Sequence, residues 1–219
     1  MAIAKTAIVI GATGLIGRHL TQLLIDDPYF KKVKVFGRRS VGITHSKLEE
    51  HLVDFNSLLE VKEKIKGDVL FSTLGTTIKQ AGSKSKQYLV DFTYQYEFAK
   101  LALENGITEY FLVSSSGADS KSKFFYPRMK GELDDAVSNL AFSQIRIFRP
   151  SLLIGNRTEK RTGEIIGSKI MKLIKFLPFL RKYRAIKGEE VAKSMINVCK
   201  KDLPEKLMFF TLDEIFPGS

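Results

Sequence analysis

Short apolar runs alternate with amphipathic stretches along most of this chain. Ala7-Ile8-Val9-Ile10 is apolar without interruption, as a strand covered on both faces requires. Residues 15–25 then repeat their apolar positions at helical spacing, and Asp26-Asp27-Pro28 stops them. Further strands are predicted at residues 32–36, within 48–55, and at 68–74, 109–115 and 143–148. Helices are predicted over 56–66, over 87–105 with Gly106 at the C-terminal cap, and over 127–140. Beyond Phe148 the pattern loosens into a loop over 151–163 and a helix over 164–176 ended by Pro178. A second helix follows over 189–201, then a late strand at 207–211. Repeated strand–helix units predict an α/β fold with a doubly wound parallel sheet. Right-handed crossovers bring the C-terminal ends of its strands to one edge, where ligands bind.

The first unit carries the strongest signal. Gly11-Ala12-Thr13-Gly14-Leu15-Ile16-Gly17 joins the first strand directly to the first helix. Three glycines at this spacing, between a strand and a helix, form the phosphate-binding turn of a dinucleotide fold. Gly11 allows the tight turn, Gly14 the approach of backbone to pyrophosphate, and Gly17 the close packing of helix on strand. The helix N–H groups then aim at the anion. Gly11, Thr13, Gly14, Leu15, Ile16 and Gly17 are the expected cradle. No repeat or low-complexity linker divides the chain, so residues 1–219 read as one NAD(P)-binding Rossmann domain. Residues from about 151 to 219 are expected to add a small lobe over the cofactor edge.

Composition narrows the picture. A chain of 219 residues, 44% of them hydrophobic, is large enough to need no disulfide or metal staple. Cys199 has no second cysteine to pair with, and His19, His45 and His51 lack metal-ligand spacing, so no metal is expected. A net charge of +11 favours anionic partners, but no nucleic-acid motif accompanies it, and a small-molecule substrate is expected. No signal peptide and no membrane-spanning apolar run is seen, which leads to a cytoplasmic expectation. Residues 168–184 interleave apolar side chains with lysines. They read as an amphipathic helix over the substrate cleft, or alternatively as a weak peripheral membrane contact.

NAD-selective sites carry an acid at the end of the second strand. Here that strand ends Phe36-Gly37-Arg38-Arg39-Ser40, with no Asp or Glu before Glu49. Two guanidiniums suit a 2′-phosphate, so NADP(H) is favoured over NAD(H) through Arg38 and Arg39. Asp54 and Phe55, after the third strand, are expected beside the adenine. Asp54 serves there as an acceptor, or else as a cap of the following helix.

Strand five ends Val113-Ser114-Ser115-Ser116-Gly117, and Tyr126-Pro127-Arg128-Met129-Lys130 opens the next helix. Tyr126 and Lys130 are four apart and share a helix face; Pro127 is tolerated in the first turn. An ammonium one turn from a tyrosine suits a residue that must give and take a proton. These features together resemble the short-chain dehydrogenase/reductase superfamily over almost the whole chain. Ser115-Ser116-Gly117-Ala118-Asp119, Phe125-Tyr126, Lys130-Gly131-Glu132, Ser72-Thr73-Leu74-Gly75-Thr76-Thr77 and Arg149-Pro150-Ser151 are similar to its atypical branch.

The resemblance implies an NADPH-binding oxidoreductase with Tyr126 as acid–base and Lys130 holding the ribose. It also implies Leu74, Gly75 and Thr76 near the cofactor, and Pro150, Ser151 and Leu152 beside the nicotinamide. Ser115, then Ser116, is the expected substrate-orienting hydroxyl, with Ser114 structural. The asparagine that many relatives use in a proton relay has no clear counterpart, and Asp91 occupies that region. The expected activity is carbonyl reduction or alcohol oxidation. The alternative is a cofactor-loaded regulatory or assembly protein without turnover.

Overall fold

A computed structural model describes residues 4–154 and 184–215. Among them the strands β1 (Lys5–Ile10), β2 (Phe30–Gly37), β3 (Leu48–Leu52), β4 (Val69–Ser72), β5 (Glu109–Val113), β6 (Gln144–Arg149) and β9 (Leu207–Thr211) make one seven-stranded sheet. Its order is β3-β2-β1-β4-β5-β6-β9, and every adjacent pair is parallel. β7 (Leu153–Ile154) and β8 (Ile186–Lys187) pair separately. The helices are α1 (Gly17–Asp26), α2 (Ile78–Ala81), α3 (Lys84–Tyr88), α4 (Tyr94–Glu104), α5 (Phe125–Ser138) and α6 (Gly188–Cys199). The chain runs from β1 out to β2 and β3, then returns to β4 on the other side of β1. A crevice opens at that reversal.

Alternate residues of the central strands feed two cores. Ala7, Val9, Val33, Phe71 and Phe111 pack with Leu20 and Leu24 of α1 and Val191 and Met195 of α6. Ile8, Ile10, Leu70, Tyr110 and Leu112 pack with Phe98 and Ala102 of α4 and Leu133 and Val137 of α5. Each large side chain buried this way contributes about 1.5–3 kcal/mol, which is why β1 tolerates no polar residue beyond Thr6.

Several elements differ from expectation. The helix expected over 56–66 is a 3₁₀ helix over Leu58–Lys64, in which only Leu58 is fully buried, so no apolar stripe holds an α-helix there. The long helix expected over 87–105 begins earlier, at Lys84, capped by Ser83, and opens into a π turn over Leu89–Thr93. Two contacts explain that turn. The buried Asp91 carboxylate accepts from the Thr76 N–H at 2.8 Å, and Gln95 Nε2 donates to the Asp91 carbonyl at 2.6 Å. β4 and β5 each end two residues early, at the mouth of the crevice. β7 and β8 are too short to leave a sequence period. The helix expected over 164–176 and the amphipathic segment, apart from Arg184, lie outside the described residues.

Candidate functional site

The turn after β1 is built from backbone. Gly11 has φ +83°, and a Cβ there would lie 2.5 Å from the Thr73 carbonyl carbon. A Cβ at Gly17 would lie 2.1 Å from the Gly11 oxygen, so the start of α1 can approach β1 only as glycine. At Gly14 a Cβ would meet only the Gly11 oxygen, at 3.1 Å, and the Thr73 oxygen, at 3.8 Å. The first turn of α1 holds no acid, and its cap position Ile16 makes no side-chain cap bond, so no carboxylate competes for this end of the dipole. Thr13 is exposed and Leu15 half-buried, whereas the Ile16 side chain is in the core and has only its backbone to offer.

Beside this turn lies a cleft of about 380 Å³, lined by Ala12, Thr13, Arg18, Thr21, Arg39, Ser40, Val41 and Ile43. Thr21 is fully buried, and its Oγ1 has no hydrogen-bond partner. An orphaned hydroxyl, two guanidiniums and an uncapped helix N-terminus fit the phosphates of a dinucleotide. Arg39 lines the cleft and Arg38 does not. Arg18 was missed by the sequence reading, although its place directly after Gly17 was a usable signal. Glu50 of β3 reaches back to this loop, accepting from the Ser40 hydroxyl at 2.7 Å and from the Val41 N–H at 2.5 Å. It lies thirteen positions beyond the end of β2, where linear spacing hides it.

Asp54 is exposed and folds onto its own loop, accepting from the Asn56 N–H at 2.9 Å and the Asn56 side chain at 2.8 Å. Phe55 is in the core against Tyr94 and Phe98, so only its backbone faces outward. Leu74, Gly75 and Thr76 follow β4. Thr73 anchors their start through Oγ1 to the Ile10 carbonyl at 2.9 Å, and Asp91 holds Thr76. Asp91 therefore acts on the backbone of the loop after β4.

At the far side of the crevice, the loops after β5 and β6 stay paired. The Ser114 N–H donates to the Phe148 carbonyl at 2.7 Å, and the Ser116 N–H to the Pro150 carbonyl at 2.9 Å. This sets Ser115 and Ser116 beside Pro150, Ser151 and Leu152. Ser114 is buried, Ser115 is partly open and donates to the Ser116 carbonyl at 3.3 Å, and Ser116 is exposed. Ser151 donates to the Arg184 carbonyl, and Leu152 is exposed. Tyr126 stands in the first turn of α5 with 38% of its surface exposed. One turn on, Lys130 is only 3% exposed, and its Nζ donates to the Val113 carbonyl at 3.4 Å. A Cβ at Gly131 would lie 2.1 Å from the Ser120 nitrogen, so glycine there lets α5 press against the serine loop.

No cluster of potential metal ligands occurs among the described residues. Cys199 is buried; burial, reinforced by Glu109, pushes its thiol up to about 12, which keeps it unreactive.

Fold and crevice define an NAD(P)-binding α/β protein of the short-chain dehydrogenase/reductase type. Among solved structures it is similar to MoeE5 in complex with UDP-glucuronic acid and NAD, with TM-score 0.72 and 17% identity, over 98% of this chain and 77% of that one. That likeness concerns the fold alone. A profile described as semialdehyde dehydrogenase, NAD binding domain, matches residues 6–100. Rat protein HTATIP2 is 35% identical over 169 residues, 75% of this chain and 69% of that protein. The mitochondrial protein fmp52 of Emericella nidulans is 35% identical over 171 residues, 73% of this chain and 71% of that protein. The chain belongs to the atypical short-chain dehydrogenase/reductase family that contains these two proteins.

These relatives also correct one expectation. Several fungal members carry "mitochondrial" in their names, which overturns the cytoplasmic assignment. The missing apolar run bears on secretion and on membrane spanning, and says nothing about organelles. No helix among the described residues is long and apolar enough to cross a membrane.

Proposed function

We propose that this protein is an NADP(H)-dependent oxidoreductase acting on a small carbonyl or alcohol. The observation that carries the reading is the pairing of an open Tyr126 with a buried Lys130 one turn later. Both stand at the same sheet edge as the glycine turn. The bound cofactor supplies or accepts the hydride. Tyr126 exchanges the proton with the substrate oxygen, since its hydroxyl belongs to the exposed member of the pair. Lys130 holds the ribose and places a positive charge beside that exchange. Ser115, with Ser116 next, donates to the same substrate oxygen and fixes its orientation. Gly11, Thr13, Gly14, Leu15, Ile16 and Gly17 would hold the pyrophosphate. Leu74, Gly75 and Thr76 would flank the cofactor, and Pro150, Ser151 and Leu152 the nicotinamide. Asp54 and the Phe55 backbone lie toward the adenine.

The preference for NADP(H) rests on Arg18 and Arg39 together lining the cleft beside the turn, with Arg38 next to Arg39 in the chain. In this reading residues 1–219 are one domain; of the lobe expected beyond about 151, residues 155–183 and 216–219 lie outside the described residues. The relatives' names support a mitochondrial location, which cell fractionation tests. The functional test is oxidation of NADPH by the purified protein across a panel of aldehydes, ketones and quinones. Turnover of at least one carbonyl compound is expected. Tight NADPH binding with no turnover across the panel would favour a regulatory protein instead.

A further inference from the structure

Asp134 lies one turn beyond Lys130 on α5 and is fully buried. Positions 126, 130 and 134 fall on one face of the helix, so Tyr126, Lys130 and Asp134 form a single row. From β6, Arg149 Nε donates to Asp134 Oδ2 at 2.9 Å, and the same guanidinium packs over the Phe209 ring at 4.4 Å. Tyr110 of β5 and Ser114, just beyond its end, also face this carboxylate. Burial pushes the Asp134 carboxyl above the ordinary carboxylate range, and Ser114, Arg149 and Lys130 pull against that shift.

Two physical points give this cluster a purpose. Asp134 is fully buried and Arg149 partly so, and desolvation of such a pair offsets much of its attraction, so the pair is not accounted for as a fastener. Lys130 is an ammonium with 3% exposure whose hydrogen bond to the Val113 carbonyl is long, at 3.4 Å. One long bond to a neutral carbonyl neither compensates such a charge nor fixes its direction.

We propose that Asp134, anchored by Arg149, is the positioning residue for Lys130, acting as the counter-charge that holds its buried ammonium in place for its work at Tyr126 and the cofactor ribose. The inference rests on the role given above to Tyr126 and Lys130. It adds two residues, Asp134 of α5 and Arg149 of β6, to that site. Arg149 was legible only as part of a family-like tripeptide, and Asp134 carried no sequence signal of its own.

The test is a double-mutant cycle on NADPH affinity, measured by titration calorimetry on the full chain. The four proteins are wild type, Lys130→Met, Asp134→Asn and the double variant. Asp134→Asn should weaken NADPH binding by about 3- to 10-fold in the wild-type background. In the Lys130→Met background the same change should leave affinity unchanged or slightly higher, because removing a distant negative charge favours an anionic ligand. Equal losses in both backgrounds, with a lowered melting temperature, would make Asp134 a structural pin and overturn the proposal. So would Asp134→Asn without effect while Lys130→Met weakens binding. If Lys130→Met itself leaves NADPH affinity intact, it is the underlying site assignment that fails. Should Asp134→Asn not fold, the cycle built on Arg149→Gln, which releases the carboxylate from its anchor, must show the same dependence on Lys130.

Discussion

Beneath α1 and α6 the sheet meets mostly carbon, while beneath α4 and α5 its apolar core also carries a row of buried polar groups. On the first side Phe71, Phe111 and Phe148 stack in sequence across β4, β5 and β6, with centroids 5.0 and 6.2 Å apart. The buried cation of that side, Arg146, alternates with Ile145 and Ile147 and gives its guanidinium to backbone. It donates to the carbonyls of Leu203, Glu205 and Lys206 at 3.0, 2.8 and 3.2 Å, tying β6 to the segment that enters β9. On the second side, Ser72 donates to Gln95 at 2.7 Å and Gln95 to the Asp91 carbonyl at 2.6 Å. Tyr110, Ser114, Asp134 and Lys130 continue this polar row toward the crevice. Burial pushes the Tyr110 phenol above its ordinary range, so it stays neutral. Buried polarity on one face fastens backbone; on the other it leads to Tyr126.

That contrast is broken most directly at Tyr126. Tyr126→Phe keeps the ring and removes the transferable proton. It should cut turnover by about 10² to 10⁴ while NADPH affinity stays close to wild type. Single-turnover kinetics with any substrate found in the panel reads this. Undiminished turnover would hand the proton to another group and remove the functional meaning of the polar face.

The apolar face should answer with stability instead. Phe111 is fully buried between Phe71 and Phe148, so Phe111→Ala should cost about 3–5 kcal/mol in urea unfolding. Any surviving folded fraction should bind NADPH normally. A folded Phe111→Ala protein with lost NADPH affinity would mean that the two faces are not separable in this way.

The cleft beside α1 sharpens the comparison, because it places function at the edge of the apolar side. Arg39→Ala should weaken NADPH binding by about 10- to 100-fold, the equivalent of one charge-assisted hydrogen bond of roughly 1.5–3 kcal/mol, and leave NADH binding nearly unchanged. Arg18→Ala should behave alike and Arg38→Ala less strongly, since only Arg18 and Arg39 line the cleft. Calorimetry with both cofactors decides. Equal losses for NADPH and NADH would dissolve the 2′-phosphate assignment.

How far the sequence could be read follows from the same division. The strands of the apolar core announce themselves through runs such as Ala7–Ile10, and the glycine turn through spacing alone, because both depend on neighbours in the chain. The placement of Tyr126 and Lys130 one turn apart at the start of α5 was legible for the same reason. Arg18 entered the cleft, and Glu50 reached the Ser40–Val41 loop, through the folding of separate strands and helices. The π turn at Asp91 was hidden because its cause is a backbone N–H fifteen residues away, at Thr76. Asp134 and Arg149 lie fifteen residues apart as well, and only the packing of α5 on β6 unites them.

The smallest expected effect belongs to the apolar side. Asp27, at the C-terminal end of α1, pairs with Lys200 just after α6 and accepts from the Tyr29 N–H at 2.9 Å. Burial pushes its carboxyl up, but Lys200, the Tyr29 amide and Lys47 outweigh that and hold it below the ordinary carboxylate range. A depressed folded value means that the ionised group stabilises the fold above the unfolded value of about 3.9, and that this stability is lost as pH falls through the folded value. Lys200 is 39% exposed, so solvent screening limits the pair to about 0.5–1 kcal/mol. Asp27→Asn should therefore lower stability by that amount in urea unfolding at pH 7, and the gap from wild type should close below about pH 4. If the gap persists in acid, the charge is not what Asp27 contributes. The link between α1 and α6 would then rest on the apolar contacts of Leu20, Leu24, Val191 and Met195 alone.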